Sequence, residues 1–295
     1  MKLSVIIPCL ERDEKTERAI RSSGGGVDEL ELELVVVEGE RPLGHARNVG
    51  LGRATGDYIA WVDGDDEVEP NWLAEIAGAL RAQPGVDVVA LGMTHVGWPG
   101  RRDVVWRGVV GEVDPKRLLT EVYHDVNLAG NQVLFVTRRA LWQGLKFDED
   151  ILIGEDYLMS PRLLARAKTG RNLGLPLYRY HCTAGSLMAE SGEAKLRDLE
   201  TIARRRLAEV TPEFRQAAEW GVGTRQYWTA DLAALRRCET PAAKAARQWI
   251  RRHFADLIWE CAIGRDLTTG ERAGWLVRFV CAAVDCWILQ RLRHA

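Results

Sequence analysis

A chain of 295 residues, 46% hydrophobic and 28% charged, has room for one large domain or two ordinary ones and the make-up of a globular protein. Its net charge of −2 hides an asymmetry: residues 1–190 carry 22 Lys and Arg against 29 Asp and Glu, and residues 191–295 carry 18 against 13. A basic second part is compatible with an anionic partner but too weakly charged to point to nucleic acid, and six scattered cysteines without a C-x-x-C pair support neither a zinc site nor a disulfide framework.

Met1-Lys2 leads straight into Leu3–Ile7, a run too short for a signal-peptide core and stopped by Pro8, so the expectation is a buried parallel strand in a cytoplasmic, reduced protein. Asp13 to Ser22 predicts a helix, ended by Ser23-Gly24-Gly25-Gly26. Leu32–Val37 reads as a second strand, Leu43 to about Ala54 as a helix, and Tyr58–Val62 as a third strand. Pro70 stands at the predicted start of a helix reaching about Ala82, and Val86–Leu91 is again strand-like. Thr94–Val113 holds shorter strands and turns, Asp114–Tyr123 a helix, Gln132–Val136 a strand leading into a helix at Arg138–Gln143, Glu155 to about Lys168 a helix, and Leu173–Tyr180 a last strand. Beyond Ala189 the chain becomes helical and rich in Arg, Ala and Leu. Strands alternating with helices imply a doubly wound, mostly parallel sheet, in which ligands sit at the carboxyl ends of the strands. Pro8, Glu38 and Asp63 all stand at such ends.

The turn Asp63-Gly64-Asp65-Asp66-Glu67 follows the apolar run Tyr58–Val62 directly. Carboxylates at the end of a buried strand call for a cation nearby. Asp63 and Asp65, two apart, would point the same way if the strand continued, and Gly64 lets the backbone approach a ligand closely. Oxygen ligands of this kind suit Mg²⁺ or Mn²⁺, which bind diphosphates through a few carboxylates plus phosphate oxygens. The competing reading is a solvated acidic turn favouring the positive end of the next helix. Glu155-Asp156 has the same two readings: helix charge compensation, or a general base at a pocket edge. His181 is either a polar strand-end residue or a third contact to metal or phosphate.

Five stretches in consistent order then resemble the family 2 glycosyltransferases of the GT-A fold: Ser4–Leu10 as the opening strand, Leu43–Gly50 as the A-R-N-x-G helix, Ala54–Asp66 as the D-x-D segment, Gly154-Glu155-Asp156 as the E-D motif, and Tyr178–His181 with Gly185–Met188 as the closing stretch. The resemblance implies a GT-A domain over residues 1–189, with a nucleotide-sugar part at 1–92 and an acceptor part at 93–189, followed by a helical region at 190–295. It implies that Pro8, Cys9, Leu10, Glu11 and Glu38 line the nucleoside pocket with Arg47, that Asp63 and Gly64 approach the ribose side, and that Asp65, Asp63 and His181 hold Mn²⁺ or Mg²⁺. Asp156 would be the catalytic base, with Glu155 beside it at the acceptor. The reaction implied is inverting transfer from a nucleotide-diphosphate sugar, UDP-linked, to a glycan or lipid-linked acceptor in surface-glycan synthesis.

Three departures bear on donor choice: Glu11 stands where the family has Asn, Val36-Val37-Glu38-Gly39-Glu40 where it has V-V-D-D-G-S, and the segment from there to A-R-N-x-G is much shorter. A sugar-nucleotide nucleotidyltransferase would need a Gly-rich basic loop after the first strand, whereas Cys9–Glu14 is acidic and lacks Gly; a degenerate, binding-only member is the other alternative. Trp275–Leu289 is strongly apolar, with Arg278 and Asp285 within it. It reads as a helix packed in the protein or against a second copy in a homodimer, or else as one lying on the inner face of the cell membrane.

Overall fold

Six consecutive buried residues, Leu3–Pro8, form the heart of strand β1 (Lys2–Cys9), as expected of a strand paired on both edges and covered on both faces. A computed structural model describes residues 1–97, 110–124, 130–181, 193–219 and 221–222 of the chain. β2 (Glu31–Glu38) pairs with β1 in parallel, from Lys2 opposite Glu31 to Cys9 opposite Glu38. β3 (Tyr58–Trp61) pairs in parallel on the other edge, from Leu3 opposite Tyr58 to Ile6 opposite Trp61. The carboxyl ends of the three strands therefore meet. There the amides of Gly39, Val62 and Gly64 donate to the carbonyls of Cys9, Ile6 and Pro8 at 3.0, 3.0 and 3.2 Å.

The helices between these strands are placed by short-range chemistry. α1 (Glu14–Ser23) starts where the Asp13 carboxylate accepts from the Thr16 amide at 2.9 Å. α2 (Leu43–Arg53) lies against β1 and β2, and each letter of its A-R-N-x-G has a physical task. Ala46 is buried, Arg47 turns into the core, and Asn48 bonds the Phe147 backbone in both directions (3.0 and 2.8 Å). Gly50 lets the helix close onto the sheet: a Cβ there would run into the Ile6 Cγ2 methyl, with Val37 Cγ2 at 3.2 Å.

The far half adds β4 (Glu67–Val68), α3 (Trp72–Ala82), β5 (Val88–Val96), β6 (Gly111–Val113), α4 (Pro115–His124), β7 (Phe135–Arg138), α5 (Asp156–Leu164), β8 (Gly170–His181) and α6 (Glu193–Glu209). The sheet has the order β2-β1-β3-β7-β5-β8-β4, with β6 also on β8. β1, β2, β3, β5 and β8 run one way, and β4, β6 and β7 against them. The result is a mixed sheet of mostly parallel strands flanked by helices, as the alternation of elements predicts, but the parallel run is interrupted where β7 lies between β3 and β5.

Local differences from the predicted elements have identifiable causes. Residues 132–142 form a 3-10 turn, the short β7 and a second 3-10 turn, because the Gln132 amide faces the Asp156 carboxylate (3.4 Å) and the Ser160 hydroxyl donates to the Gln132 side chain (3.0 Å). Pro70 and Asn71 form a turn ahead of α3 rather than its first residues. α5 ends at Leu164, well short of Lys168, and contains Pro161, which supplies no amide to the helix. α6 is the first described part of the helical region expected beyond residue 190; its Ile202 packs with Ile151, Tyr157 and Leu158. Its Arg205 pairs with Asp148 and Asp150, and its Asp198 carboxylate accepts from the amides of Leu152 (2.9 Å) and Ile153 (3.1 Å). Among the described residues no helix is long and apolar enough to cross a membrane. Trp275–Leu289, with the membrane and dimer expectations placed on it, lies outside the described residues, as does Gly185–Met188.

Two glycines should respond in opposite ways to alanine. Gly78 lies within α3 with nothing within 4 Å of an added Cβ, so Gly78→Ala should stabilise by about 0.5–1 kcal/mol through helix propensity. At Gly50 the same gain is outweighed by overpacking against stiff β-branched side chains, costing about 1–3 kcal/mol. Urea unfolding of the two variants measures both signs.

Candidate active site

Beyond Trp61 the chain leaves the sheet at once. The Asp66 amide donates to the Asp63 carbonyl at 3.0 Å, so Asp63–Asp66 is a tight turn and not the extended strand on which Asp63 and Asp65 would point the same way. Gly64 is required by the protein's own packing, since a Cβ there would meet Cys9 Cβ at 2.8 Å and the Pro8 carbonyl at 3.0 Å. The turn is thereby fastened across the end of β1.

Arg47 links this turn to the distant Glu155. Its side chain is 2% exposed; Nη2 donates to Asp63 Oδ1 at 2.9 Å and Nη1 pairs with Glu155 Oε1. The guanidinium rests on Trp61 and Phe147, 6.0 and 5.5 Å from the ring centroids, an arrangement that stabilises a buried cation through the ring faces. Trp142 completes the aromatic group, 5.5 Å from Trp61 and 5.6 Å from Phe147. The residue expected in the wall of a nucleoside pocket is thus held beneath the surface by two carboxylates.

Glu155 and Asp156 start α5, after Gly154, whose φ of +86° puts it in the left-handed region where glycine is unstrained. Glu155, expected beside the acceptor, is 1% exposed and turned inward onto Arg47. Its carboxyl is raised to about 7, chiefly by burial, with Arg47 acting downward and Asp156 upward. Asp156 is 8% exposed in the first turn of α5, where the helix dipole favours a negative charge.

The acidic turn itself divides into unlike carboxylates. Asp65 is half-buried and its carboxyl is raised by burial and by Asp63; among the described residues no side chain bonds it, and its carbonyl accepts from Arg18 at 2.9 Å. Asp66 is buried, accepting from the Tyr178 hydroxyl and from the His181 amide, each at 2.7 Å. Its carboxyl is raised well above the usual range by burial, then by Asp65 and Asp63. The His181 imidazole sits with Glu67 (2.9 Å), which also meets Arg179 (3.2 Å) and Arg18 (3.6 Å).

Asp65 and Asp66, both with proton affinity raised by burial and by neighbouring carboxylates, and the first unbonded by any described side chain, form an acidic turn to which a divalent cation would add positive charge. Among the described residues, however, no three His, Cys, Asp or Glu side chains gather as a ready-made cage. The expected set Asp63, Asp65 and His181 is not assembled, because Arg47 engages Asp63 and Glu67 engages His181.

On the other side of the turn, the expected nucleoside-pocket residues lie along the ends of β1 and β2. Pro8 is buried, the Cys9 thiol is half-buried over the Val37 carbonyl (3.6 Å), and Leu10, Glu11 and Glu38 are exposed. Asp66, Tyr178, Phe147 and Trp61 are the contributors that sequence reasoning did not single out. The third aspartate of D-G-D-D, Asp66, was the available signal.

Residues 28–120 match the family model of glycosyl transferase family 2. That stretch is family 2 glycosyltransferase sequence. The chain is 30% identical over 167 residues to the succinoglycan biosynthesis protein ExoO of Rhizobium meliloti (strain 1021), covering 53% of this chain and 47% of that protein. It is 28% identical over 158 residues to the uncharacterized glycosyltransferase EpsJ of Bacillus subtilis (strain 168), covering 52% and 46%. The chain therefore spans about half the length of the curated relatives it matches. In fold, the glycosyltransferase domain is similar to S. aureus TarS 1–349, with a TM-score of 0.57, 18% identity, and 85% of this chain and 78% of that one covered. It is also similar to the mannosyltransferase PcManGT from Pyrobaculum calidifontis, a structure in complex with GDP-Man and Mn²⁺, with a TM-score of 0.51, 17% identity, and 97% and 87% covered. Asp63, Asp65 and Arg47 fall within the segment matched to the family, and Glu155-Asp156 beyond it.

Removing the buried guanidinium of this glycosyltransferase domain should be costly in a pH-dependent way. Glu155 titrates near 7 in the folded chain against 4.5 ordinarily, so the folded chain holds a proton that the unfolded chain releases, and the stability this contributes fades as pH rises through that window. Arg47→Met leaves Asp63 and Glu155 without their cation. It should lose about 3–5 kcal/mol at pH 8 and clearly less near pH 5.5, where Glu155 is protonated, in urea titrations at the two pH values.

Proposed function

We propose that the domain transfers a sugar from a nucleotide-diphosphate sugar, UDP-linked, to a hydroxyl of a glycan or lipid-linked acceptor, with inversion at the anomeric carbon, in surface-glycan synthesis. The observation that carries this reading is Arg47, which binds Asp63 at the strand-end turn and Glu155 beside Asp156 in one buried ion cluster. A donor corner and a base are thereby held at a fixed separation, the arrangement a single displacement needs. The polysaccharide-related name of ExoO and the nucleotide-sugar complexes among the solved structures of the same fold support the substrate class.

In this reading Asp156 takes the proton of the acceptor hydroxyl as its oxygen bonds the anomeric carbon, and the nucleoside diphosphate departs with the electrons of the broken bond. Arg47 and Glu155 position these groups. Pro8, Cys9, Leu10, Glu11 and Glu38 border the nucleoside, with the two glutamates biasing donor choice. Asp65 and Asp63 would hold Mn²⁺ or Mg²⁺, and His181 would be a further ligand once its imidazole leaves Glu67. The bound ion would supply the positive charge that stabilises the leaving diphosphate.

Asp156→Asn should lower kcat by about 10²–10⁴-fold while leaving donor affinity near its original value, as loss of a general base predicts. Single-turnover transfer and calorimetric UDP-sugar binding separate the two, and an active variant would remove Asp156 as the base. Asp65→Ala should abolish the Mn²⁺ dependence of donor binding; an unchanged Mn²⁺ response would sink the metal assignment.

A further inference from the structure

Four residues of α6, Asp198, Ile202, Arg205 and Glu209, follow one another at spacings of four, three and four and so share one face of the helix. Each of them meets the chain around α5. Asp198 Oδ2 accepts from the amides of Leu152 (2.9 Å) and Ile153 (3.1 Å). Ile202 packs with Ile151, Tyr157 and Leu158, and its Cδ1 methyl lies 3.1 Å from where a Cβ on Gly154 would stand. Arg205 bridges Asp148 and Asp150, each at 2.5 Å. The Glu209 carboxylate accepts from Nε and Nη2 of Arg162, both at 2.6 Å. One face of α6 thus holds the approach to α5 at residues 148–153 and the last turn of α5 at Arg162, with Asp156 between them.

α5 has need of such a hold. It is nine residues long with Pro161 among them, and its N-cap residue Glu155 makes no capping bond, its carboxylate being turned onto Arg47. A helix shorter than about 12 residues is marginal by itself, and its ends are the parts that fray. Asp156 stands in that uncapped first turn. We infer that Asp198 and Arg205 are positioning residues for the catalytic base: acting through residues 148–153, they set the first turn of α5 and aim the Asp156 carboxylate at the acceptor hydroxyl. This rests on Asp156 being the base of the proposed function, and not on the cation. α6 lies beyond the family-matched residues 28–120, so the C-terminal region enters the reaction through its first helix. The donor corner is built instead from β1, β3 and α2, so loss of the brace should separate turnover from donor binding.

The test is UDP release from UDP-glucose and UDP-N-acetylglucosamine by the full chain, with water in the acceptor's place, beside calorimetric binding of UDP. Asp198→Ala should lower kcat by about 10- to 100-fold, as misplacing a reacting group by about 1 Å does, while UDP affinity stays within about twofold. Asp198→Asn loses the charge but keeps one oxygen for both amides, and should recover most of the rate. Added to Asp156→Asn, Asp198→Ala should slow release no further, because the brace acts through a carboxylate already removed. Losses that multiply in the double variant, an Asn variant as slow as the Ala variant, or a folded Asp198→Ala with full kcat would each overturn the proposal alone. Full activity of Asp156→Asn would overturn the base assignment, and the proposal with it. Should Asp198→Ala not fold, Arg205→Gln takes its place in the same cycle, with the same signs expected. Should the wild type release no UDP from either donor, carbon-13 NMR of the Asp156 carboxyl decides. Its resonance must shift in Asp198→Ala and return in Asp198→Asn, and an unmoved resonance refutes the link.

Discussion

A guanidinium shut away from water between two carboxylates and two aromatic faces is the constraint on which the site depends. Arg47 could not be buried alone, and neither could Glu155; each makes the other's burial tolerable, and Asp63 brings a second negative charge to the same cation. Such a cluster has one low-energy geometry. The fork of the guanidinium fixes the angle between its partners, while Trp61 and Phe147 fix its plane. The end of β3 and the start of α5 are therefore registered by an interaction far more directional than packing.

The segment before α5 is held from both sides. Asn48, one residue beyond Arg47, clasps the backbone of Phe147, while α6 grips the following residues through Arg205 and through Asp198 on the amides of Leu152 and Ile153. Asp148 also meets Arg162 of α5. The approach to Asp156 is thus built by the nucleotide-side helix α2 and by a helix beyond the family-matched segment. A boundary drawn near residue 190 separates regions of different composition, yet α6 completes the surroundings of the E-D motif.

Where chemistry stands along the chain was legible in the sequence; where side chains turn was only partly so. A β-forming run stopped by Pro8, another ending in Asp63, and a helix opening at Asp156 are local signals, and local signals place strand ends well. The inward turn of Arg47 depends on Phe147 and Glu155, about a hundred residues away, and no spacing rule reaches that far. In D-G-D-D the division of labour between Asp65 and Asp66 follows from a turn closed by a single hydrogen bond, which sends one carboxylate to the edge and the other inside. Residues 132–142 misled the pattern because the polar Gln132 is buried there, its backbone amide on Asp156 and its side chain on Ser160, so periodicity no longer reports a face.

The separation of Arg47 from Glu155 by 108 residues also has a consequence for how the molecule is made. During synthesis the first three strands can assemble as soon as Trp61 is available, and Arg47 then has Asp63 but lacks its second partner. The cation must wait in a half-built shell until residue 155 and the bracing helix behind it emerge. Contacts of such long range are late and slow to form, and an unfinished cluster of this kind is where a nascent chain would be most open to misassembly or to a holding chaperone.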